Sequence, residues 1–557
     1  MPRMTGKQAL AEMLIAEGVK YVFGNPGTSE SPLMDVLQDY PQLQYIVALQ
    51  EATPVGMADG YARASGKVPF ANLHIAGGLA NGISALYNAY QGGTPLVLTA
   101  GQSDTRALIN DPFLSGNLVE MARQYTKWST QIHHASDVPT AIRRAFKEAK
   151  TSPTGPVFLS LPWNSLDEEA DVEIVPSAPV FDRIRPDAQG LAKASQLLAK
   201  AQNPIVIVGD RVARGGAVKE AVQVAELLGA QVFGVSQAEI SFPTSHPQYS
   251  GVLDVNNPSV AARLAKADVL LIVGSNVFSQ FLYVPESLIG KHTKLIHMDN
   301  DIKEIEKIYP TQVGILADTQ VGLAELADAL DSDMSGSARE SAKTRATTLG
   351  EEKRKAKEAY KERVKKNWDK MPISLDRMMT ELATVMPKNT ILADESVTSR
   401  PAFIAARDFD EPGSMYRNAG GALGWGMPGA LGVKLAQPER PVLGMVGDGS
   451  SMYAVQALWT AAKYNIAVTY VVCNNGTYKI LKQNMDIYLK RILNQPERKS
   501  QYIGMDFGNR LNLAKMADAM GVHGERVEKP EQLRPAFERA FSMGKPALVD
   551  VVIDGSM

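Results

Sequence analysis

The chain has 557 residues, more than one hydrophobic core ordinarily organises, and a formal net charge of -2 from 58 basic and 60 acidic residues. That balance gives no electrostatic draw toward nucleic acid or an anionic membrane surface. The single cysteine, Cys473, excludes an internal disulfide and a cysteine-rich metal centre, and no apolar stretch is long enough to span a bilayer.

The opening Met1-Pro2-Arg3-Met4-Thr5-Gly6 carries no apolar run of the signal-peptide kind, so a cytoplasmic location is the expectation. Short apolar runs then alternate with amphipathic, helix-length segments, at 45–49, 95–99, 157–161, 204–208, 269–273, 295–298, 442–446 and 468–472. The alternation predicts an α/β chain of parallel sheets covered by helices.

In the first third, the loop 24–28 follows the apolar run 21–23 and leads into a helix from Ser31. Read locally it is a Pro/Gly turn with Thr28 or Ser29 as a cap. Glu51 follows the strand 45–49 and precedes a helix starting near Thr53, where an acid opposes the helix dipole. His74 ends the stretch 70–73 beside Gly77-Gly78, a place where a lone histidine is ordinarily a satisfied structural group.

Two seams divide the chain. The first, around 175–186, is rich in Pro, Ser and Ala. The second, around 335–370, begins at Ser335-Gly336-Ser337 and becomes a charge-rich helix with Glu351/Lys355 and Glu362/Lys366 at i,i+4 spacing. Three doubly wound parallel-sheet domains follow, at 1–180, 185–335 and 370–557, with 336–369 as a helical linker. In the middle one, Gly209-Asp210-Arg211 and Gly274-Ser275-Asn276 are compatible with a ligand, although an empty structural domain is favoured. No G-x-G-x-x-G follows a strand, which disfavours a nicotinamide dehydrogenase.

The strongest signal is Gly447-Asp448-Gly449-Ser450-Ser451, followed after a helical segment by Asn474-Asn475-Gly476-Thr477. The strand 442–446, a helix and the strand 468–473 form a crossover unit whose two strands lie parallel and adjacent. Asp448 and Asn475, 27 positions apart, should therefore emerge together at the carboxyl edge of one sheet. A carboxylate, an amide oxygen and a backbone carbonyl from the 476–477 turn are the hard donors that Mg²⁺ takes. Gly447 and Gly449 let backbone N–H groups approach a diphosphate, with the next helix start adding its positive end.

With these residues the chain resembles the thiamine-diphosphate-dependent family that includes benzoylformate decarboxylase, acetolactate synthase and pyruvate decarboxylase, whose cofactor signature is GDG…NN. The likeness extends to Phe23-Gly24-Asn25-Pro26-Gly27-Thr28, LQEATPVGMADGYARASGK from Leu49, NLHIAGGLANG from Asn72, GPVFLSLP from Gly155 and AGGALGWGMPGALG from Ala419. It is nearest to benzoylformate decarboxylase. The resemblance implies a pyrimidine-binding first domain, a central domain and a diphosphate-binding third domain. It implies thiamine diphosphate and Mg²⁺ as cofactors, with Asp448, Asn475 and the Thr477 carbonyl on the metal, and Gly447, Gly449 and Ser450 around the diphosphate. Glu51 would bond the aminopyrimidine ring, Leu423 would prop the cofactor into a bent shape, and the Gly421 carbonyl would take its amino group. Catalysis would fall to Glu51, His74 as a proton carrier, and Thr28, which stands where the decarboxylase has a serine for the substrate carboxylate. A substrate pocket of Asn25, Thr28, His74, Phe281, Ile480 and Asn484 is implied. So is a 2-keto acid substrate decarboxylated through a thiazolium carbanion and an enamine. Active sites would lie between subunits, in a dimer at least and a homotetramer by expectation. FAD in the central domain, kept by some relatives, is admitted but not favoured.

Two departures bear on the reaction. Phe281 takes the place of the decarboxylase's second histidine, and Asn484 that of a pocket aromatic. A pocket without that second histidine protonates an enamine slowly. The alternatives are therefore an acetolactate-synthase-like carboligase or a 2-hydroxyacyl-CoA-lyase-like C–C lyase. An inert binding remnant of the fold is disfavoured because Glu51 and the whole metal set are present.

Overall fold

The computed structural model of the chain describes residues 2–235, 238–254, 257–279 and 287–556. Three six-stranded sheets, each parallel throughout, follow one another along the sequence. The first has the order Gln44–Val47, Tyr21–Asn25, Phe70–Leu73, Leu96–Gln102, Pro156–Pro162, Ser129–Gln131. The third has the order Met415–Arg417, Ile391–Glu395, Val442–Gly447, Thr469–Asn474, Ala547–Val552, His523–Val527. Counted in chain order within each sheet, both run 2-1-3-4-6-5. The middle sheet runs 3-2-1-4-5-6, from Tyr249–Val252 through the central Pro204–Val208 and Val269–Val273 to Val313–Leu316. A short antiparallel pair, Arg3–Thr5 with Glu169–Asp171, closes the first domain.

The apolar runs are continuous because helices cover both faces of each sheet: Pro204–Val208 and Val269–Val273 are buried at every position. Helices start where a side chain can take the first free N–H groups, as Asp187, Asp318, Ser335 and Ser374 do. The charge-rich helix spans Gly336–Asn367 and buries only Ala342 and Val364. The expected i,i+4 pairs are replaced there by Glu362–Lys365 and Arg354–Glu358, exposed contacts of small energetic weight. Lys353 fastens this helix to the middle domain by donating to the carbonyls of Thr244, His246 and Tyr249, and burial lowers its pKa to about 8.

The first and third domains pack through the helices Ala52–Ser65 and Gly426–Ala436. Their backbones touch: a Cβ on Gly432 would lie 1.9 Å from the Met57 carbonyl oxygen. The buried Arg63 binds all three domains together, with Nη1 donating to the Arg417 carbonyl at 2.7 Å and Nε to Glu239 at 3.3 Å. Among the described residues no helix is long and apolar enough to cross a membrane.

This topology positions the site. Sheets of this kind bind ligands beyond the strand ends where the winding reverses direction. In the first domain that point lies between Tyr21–Asn25 and Phe70–Leu73. In the third it lies between Ile391–Glu395 and Val442–Gly447.

Candidate active site

At the first switch point, Glu51 occupies the N-cap position of Ala52–Ser65 yet makes no capping bond. Its carboxylate instead accepts from Asn25 Nδ2 and from Asn81 Nδ2, both at 3.0 Å, and is 8% exposed as a residue. A side chain turned away from its own helix and held from two sides is not serving the dipole. Asn25, expected at the substrate, engages Glu51 here because their two strands are neighbours.

His74 caps Ile75–Gln91 by position only, without a side-chain cap bond. Its Nδ1 lies 2.9 Å from Ser29 Oγ and 3.0 Å from Glu30 Oε2. Thr28 opens the turn Thr28–Glu30 with its side chain exposed. Glu30 and Asn81 were not singled out from the sequence. Both lie in or beside motifs that were, but periodicity does not show where a turn aims its acid.

At the second switch point a cavity of about 370 Å³ is lined by Asn418, Gly421, Leu423, Gly447, Asp448, Gly449, Ser450, Asn475, Thr477 and Ile480, among others. Strand Val442–Gly447 pairs with Thr469–Asn474 so that Gly447 faces Cys473, which brings Asp448 and Asn475 to one edge. Asp448 accepts from Gly449 N–H at 3.0 Å and from Gly476 N–H at 2.6 Å. Burial nevertheless raises its pKa to about 6. Asn475 Oδ1 accepts from Thr477 N–H at 2.9 Å. A mostly buried carboxylate beside an amide oxygen and a turn carbonyl is a donor set that suits a hard divalent cation. Asn484, farther along the helix Lys479–Ile487, is part-buried and does not line this cavity. Phe281 lies outside the described residues.

Behind the cavity stands Glu395, unmarked in the sequence because it is simply the last residue of a buried strand. It accepts from the backbone N–H groups of Gly424, Trp425 and Gly426 and from Asn418 Nδ2 at 2.8 Å, so it holds both ends of the loop carrying Gly421 and Leu423. Burial pushes its carboxyl up to about 7, against those bonds. Asn88 of the first domain clamps the same loop, donating to the Ala422 carbonyl at 2.8 Å and accepting its N–H at 3.1 Å. Val397, also on the cavity wall, sits at φ +50°, a strained conformation for a β-branched residue and of the kind that gathers at binding sites.

Among the described residues none of the first domain lines this cavity. Glu51 and His74 in the first domain, and Asp448 and Asn475 in the third, form two separate clusters within the chain.

At the middle sheet the tips Gly209 and Gly274 meet closely, and Arg211 fills the space with a two-pronged ion pair to Asp299, both contacts at 2.7 Å. Asp299 also accepts from the N–H groups of Ser275 and Asp301, so its oxygens are engaged by the chain itself. A cavity of about 640 Å³ bordered by Lys127, Arg183, Arg214 and Lys303 lies at the seam with the first domain.

The fold, with two like sheets on either side of a middle one, is that of the thiamine-diphosphate enzymes. The chain matches the thiamine pyrophosphate enzyme family over its N-terminal TPP binding domain at 4–122, its central domain at 191–326 and its C-terminal TPP binding domain at 400–551. It is 32% identical to a benzoylformate decarboxylase of Pseudomonas aeruginosa over 98% of both chains. It is 28% identical to a "probable acetolactate synthase large subunit" of Methanocaldococcus jannaschii, over 99% of this chain and 92% of that one. A solved thiamine diphosphate-dependent 4-hydroxybenzoylformate decarboxylase of Rhodococcus jostii RHA1 superposes with a TM-score of 0.84 at 29% identity, over 99% of this chain and 100% of the other. The chain belongs to the thiamine pyrophosphate enzyme family, whose decarboxylase and carboligase members place it among the thiamine-diphosphate-dependent C–C lyases and carboligases.

Proposed function

We propose that the protein is a Mg²⁺-dependent 2-keto acid decarboxylase of the benzoylformate-decarboxylase type, working at sites shared between two copies of the chain. The observation that carries the reading is the division of the site. In one chain the cavity at Asp448 and Asn475 and the cluster around Glu51 lie apart, and among the described residues the cluster contributes nothing to the cavity wall. A second copy supplies the missing half in each direction, which makes a dimer the minimum and a homotetramer the expected assembly.

Asp448, Asn475 and the Thr477 carbonyl would hold Mg²⁺, and the N–H groups from Gly447 to Ser450 would face the diphosphate. When bound, thiamine diphosphate supplies an electron sink for the pair released as CO₂ leaves the keto acid. The chain's own part is to orient, desolvate and move protons. Leu423 and the Gly421 carbonyl shape the ring end of the cavity, on a loop fixed by Glu395 and Asn88. Glu51, steadied by Asn25 and Asn81, would hold a proton at its carboxylate where the aminopyrimidine of the cofactor would lie. The exposed Thr28 hydroxyl donates to the substrate carboxylate, and His74 carries a proton at Nε2, the ring nitrogen away from Glu30.

One feature favours a second reading, carboligation in the manner of acetolactate synthase: the phenylalanine at position 281 offers no proton where the decarboxylase has its second histidine. The test is to supply the Mg²⁺-loaded enzyme with benzoylformate, pyruvate and branched 2-keto acids, with and without an added aldehyde, and to identify the products. Free aldehyde as the main product supports the decarboxylase. Acyloins or acetohydroxy acids as the main products replace it with the carboligase.

A further inference from the structure

Two side chains converge on one ring nitrogen of His74. Nδ1 is 3.0 Å from Glu30 Oε2 and 2.9 Å from Ser29 Oγ, while Ser29 Oγ itself donates to Glu30 Oε1 at 2.7 Å. The serine proton is therefore directed at the carboxylate, and a serine lone pair faces the imidazole. Glu30 is wholly enclosed, with its side chain 0% exposed, and accepts further from the N–H groups of Gly27 at 2.8 Å and Gly101 at 2.9 Å. Every group bonded to this carboxylate is a donor. An imidazole nitrogen in that company must carry its hydrogen, since a bare lone pair at Nδ1 would face two acceptors.

The glycine beneath the ring leaves no room on that side. A Cβ on Gly27 would lie 2.1 Å from His74 Nδ1, so the ring rests directly on that glycine. Trp163 Nε1 donates to the Ser29 carbonyl at 2.8 Å and pins the turn from behind. The acids placed about His74 are Glu30 on the turn and Glu51, whose Oε1 lies 3.2 Å from where a Cβ on Gly78 would fall, next to the His74 Cβ at 3.0 Å. The strand Leu96–Gln102 and the short helix Trp163–Asp167 bring only a backbone N–H and an indole to the cluster. The arrangement is also not a hydrolytic triad. Hydroxyl and carboxylate share Nδ1, whereas a nucleophile activated by the ring would sit at the nitrogen opposite the carboxylate.

We propose that Glu30 is the positioning residue of the proton-transfer site: it fixes neutral His74 as the Nδ1–H tautomer and presents Nε2 to the substrate as the atom that takes up and returns a proton. This rests on His74 as the proton carrier of the proposed function. A glutamine at position 30 must set its amide NH2 against the backbone N–H of Gly27 or of Gly101, so it cannot hold the Nδ1–H tautomer as the carboxylate does, and the Nε2–H form becomes populated.

The experiment reads the tautomer directly, from ring ¹⁵N resonances of histidine-labelled protein without cofactor, with His74→Gln to assign the signal. Wild type should show Nδ1 protonated, and Glu30→Gln should lose that preference, with the Nε2-protonated ring populated. In the Mg²⁺- and thiamine-diphosphate-loaded enzyme, Glu30→Gln should lower kcat about 10²-fold or more with KM within about threefold, and Glu30→Asp should recover part of the loss. Cofactor uptake by calorimetry should be unchanged. A wild-type ring protonated at Nε2 overturns the proposal even if the variant does not fold, as does a Glu30→Gln enzyme of near-normal kcat. A protein that takes up no cofactor would instead count against the proposed function, while the tautomer result would stand.

Discussion

Asn25 Nδ2 donates a 3.0 Å hydrogen bond to Glu51 Oε1, joining the end of the strand Tyr21–Asn25 to the start of the helix Ala52–Ser65, 26 positions on. With Asn81 on the other oxygen, the carboxylate has one orientation and no role in its own helix. Glu51→Gln should therefore leave the fold and cofactor uptake intact and lower turnover by about 10²- to 10⁴-fold. Calorimetric binding of thiamine diphosphate measured beside kcat separates the two effects.

Asp448 is the one anionic donor of the proposed metal set. Asp448→Asn keeps the shape but removes the charge a divalent cation requires, so uptake of thiamine diphosphate with Mg²⁺ should weaken by at least about 10²-fold. Apo-protein melting should move by only a few degrees. Full-strength binding in this variant would show that the cavity holds the diphosphate by other means.

If each site combines two copies, the two inactive variants should rescue one another. Mixing Glu51→Gln and Asp448→Asn chains in equal amounts through a dissociation step gives hybrid dimers in which one of the two sites is intact. Recovery of about a quarter of wild-type activity is expected from random pairing. No recovery after verified exchange of chains would place the whole site within one chain.

Glu395 links stability to pH. Burial raises its carboxyl from 4.5 to about 7, so between these values the folded protein holds a proton that the unfolded chain has released. Stability from this group falls as pH rises through that window. Glu395→Gln imitates the protonated form and should lack this dependence. Relative to the variant, wild type should lose about 3 kcal/mol between pH 4.5 and 8, measured by urea unfolding of the apo-protein.

The contact between Gly432 and Met57 leaves no room for a methyl group. Because the obstructing atom is helix backbone, Gly432→Ala should cost about 3 kcal/mol and loosen the seam between the first and third domains. Denaturant unfolding would show a lower midpoint, while Gly66→Ala at a left-handed helix end, with open space around it, should cost only about 1 kcal/mol.

The sequence by itself determined what depends on spacing along the chain. Apolar runs of strand length, separated by amphipathic helices, dictate parallel sheets, because helices on both faces leave no polar side to such strands. The pair Asp448 and Asn475 was legible because a right-handed crossover has essentially one way to place its second strand. Packing decided the rest. Glu30, Asn81 and Glu395 acquire their roles from strands and turns far away in sequence, and only a folded chain shows that the Glu51 side chain abandons its helix for two asparagines. The separation of the Glu51 cluster from the cavity at Asp448 and Asn475 is likewise a tertiary fact, and the two domains close on one another through helices whose glycines let their backbones touch.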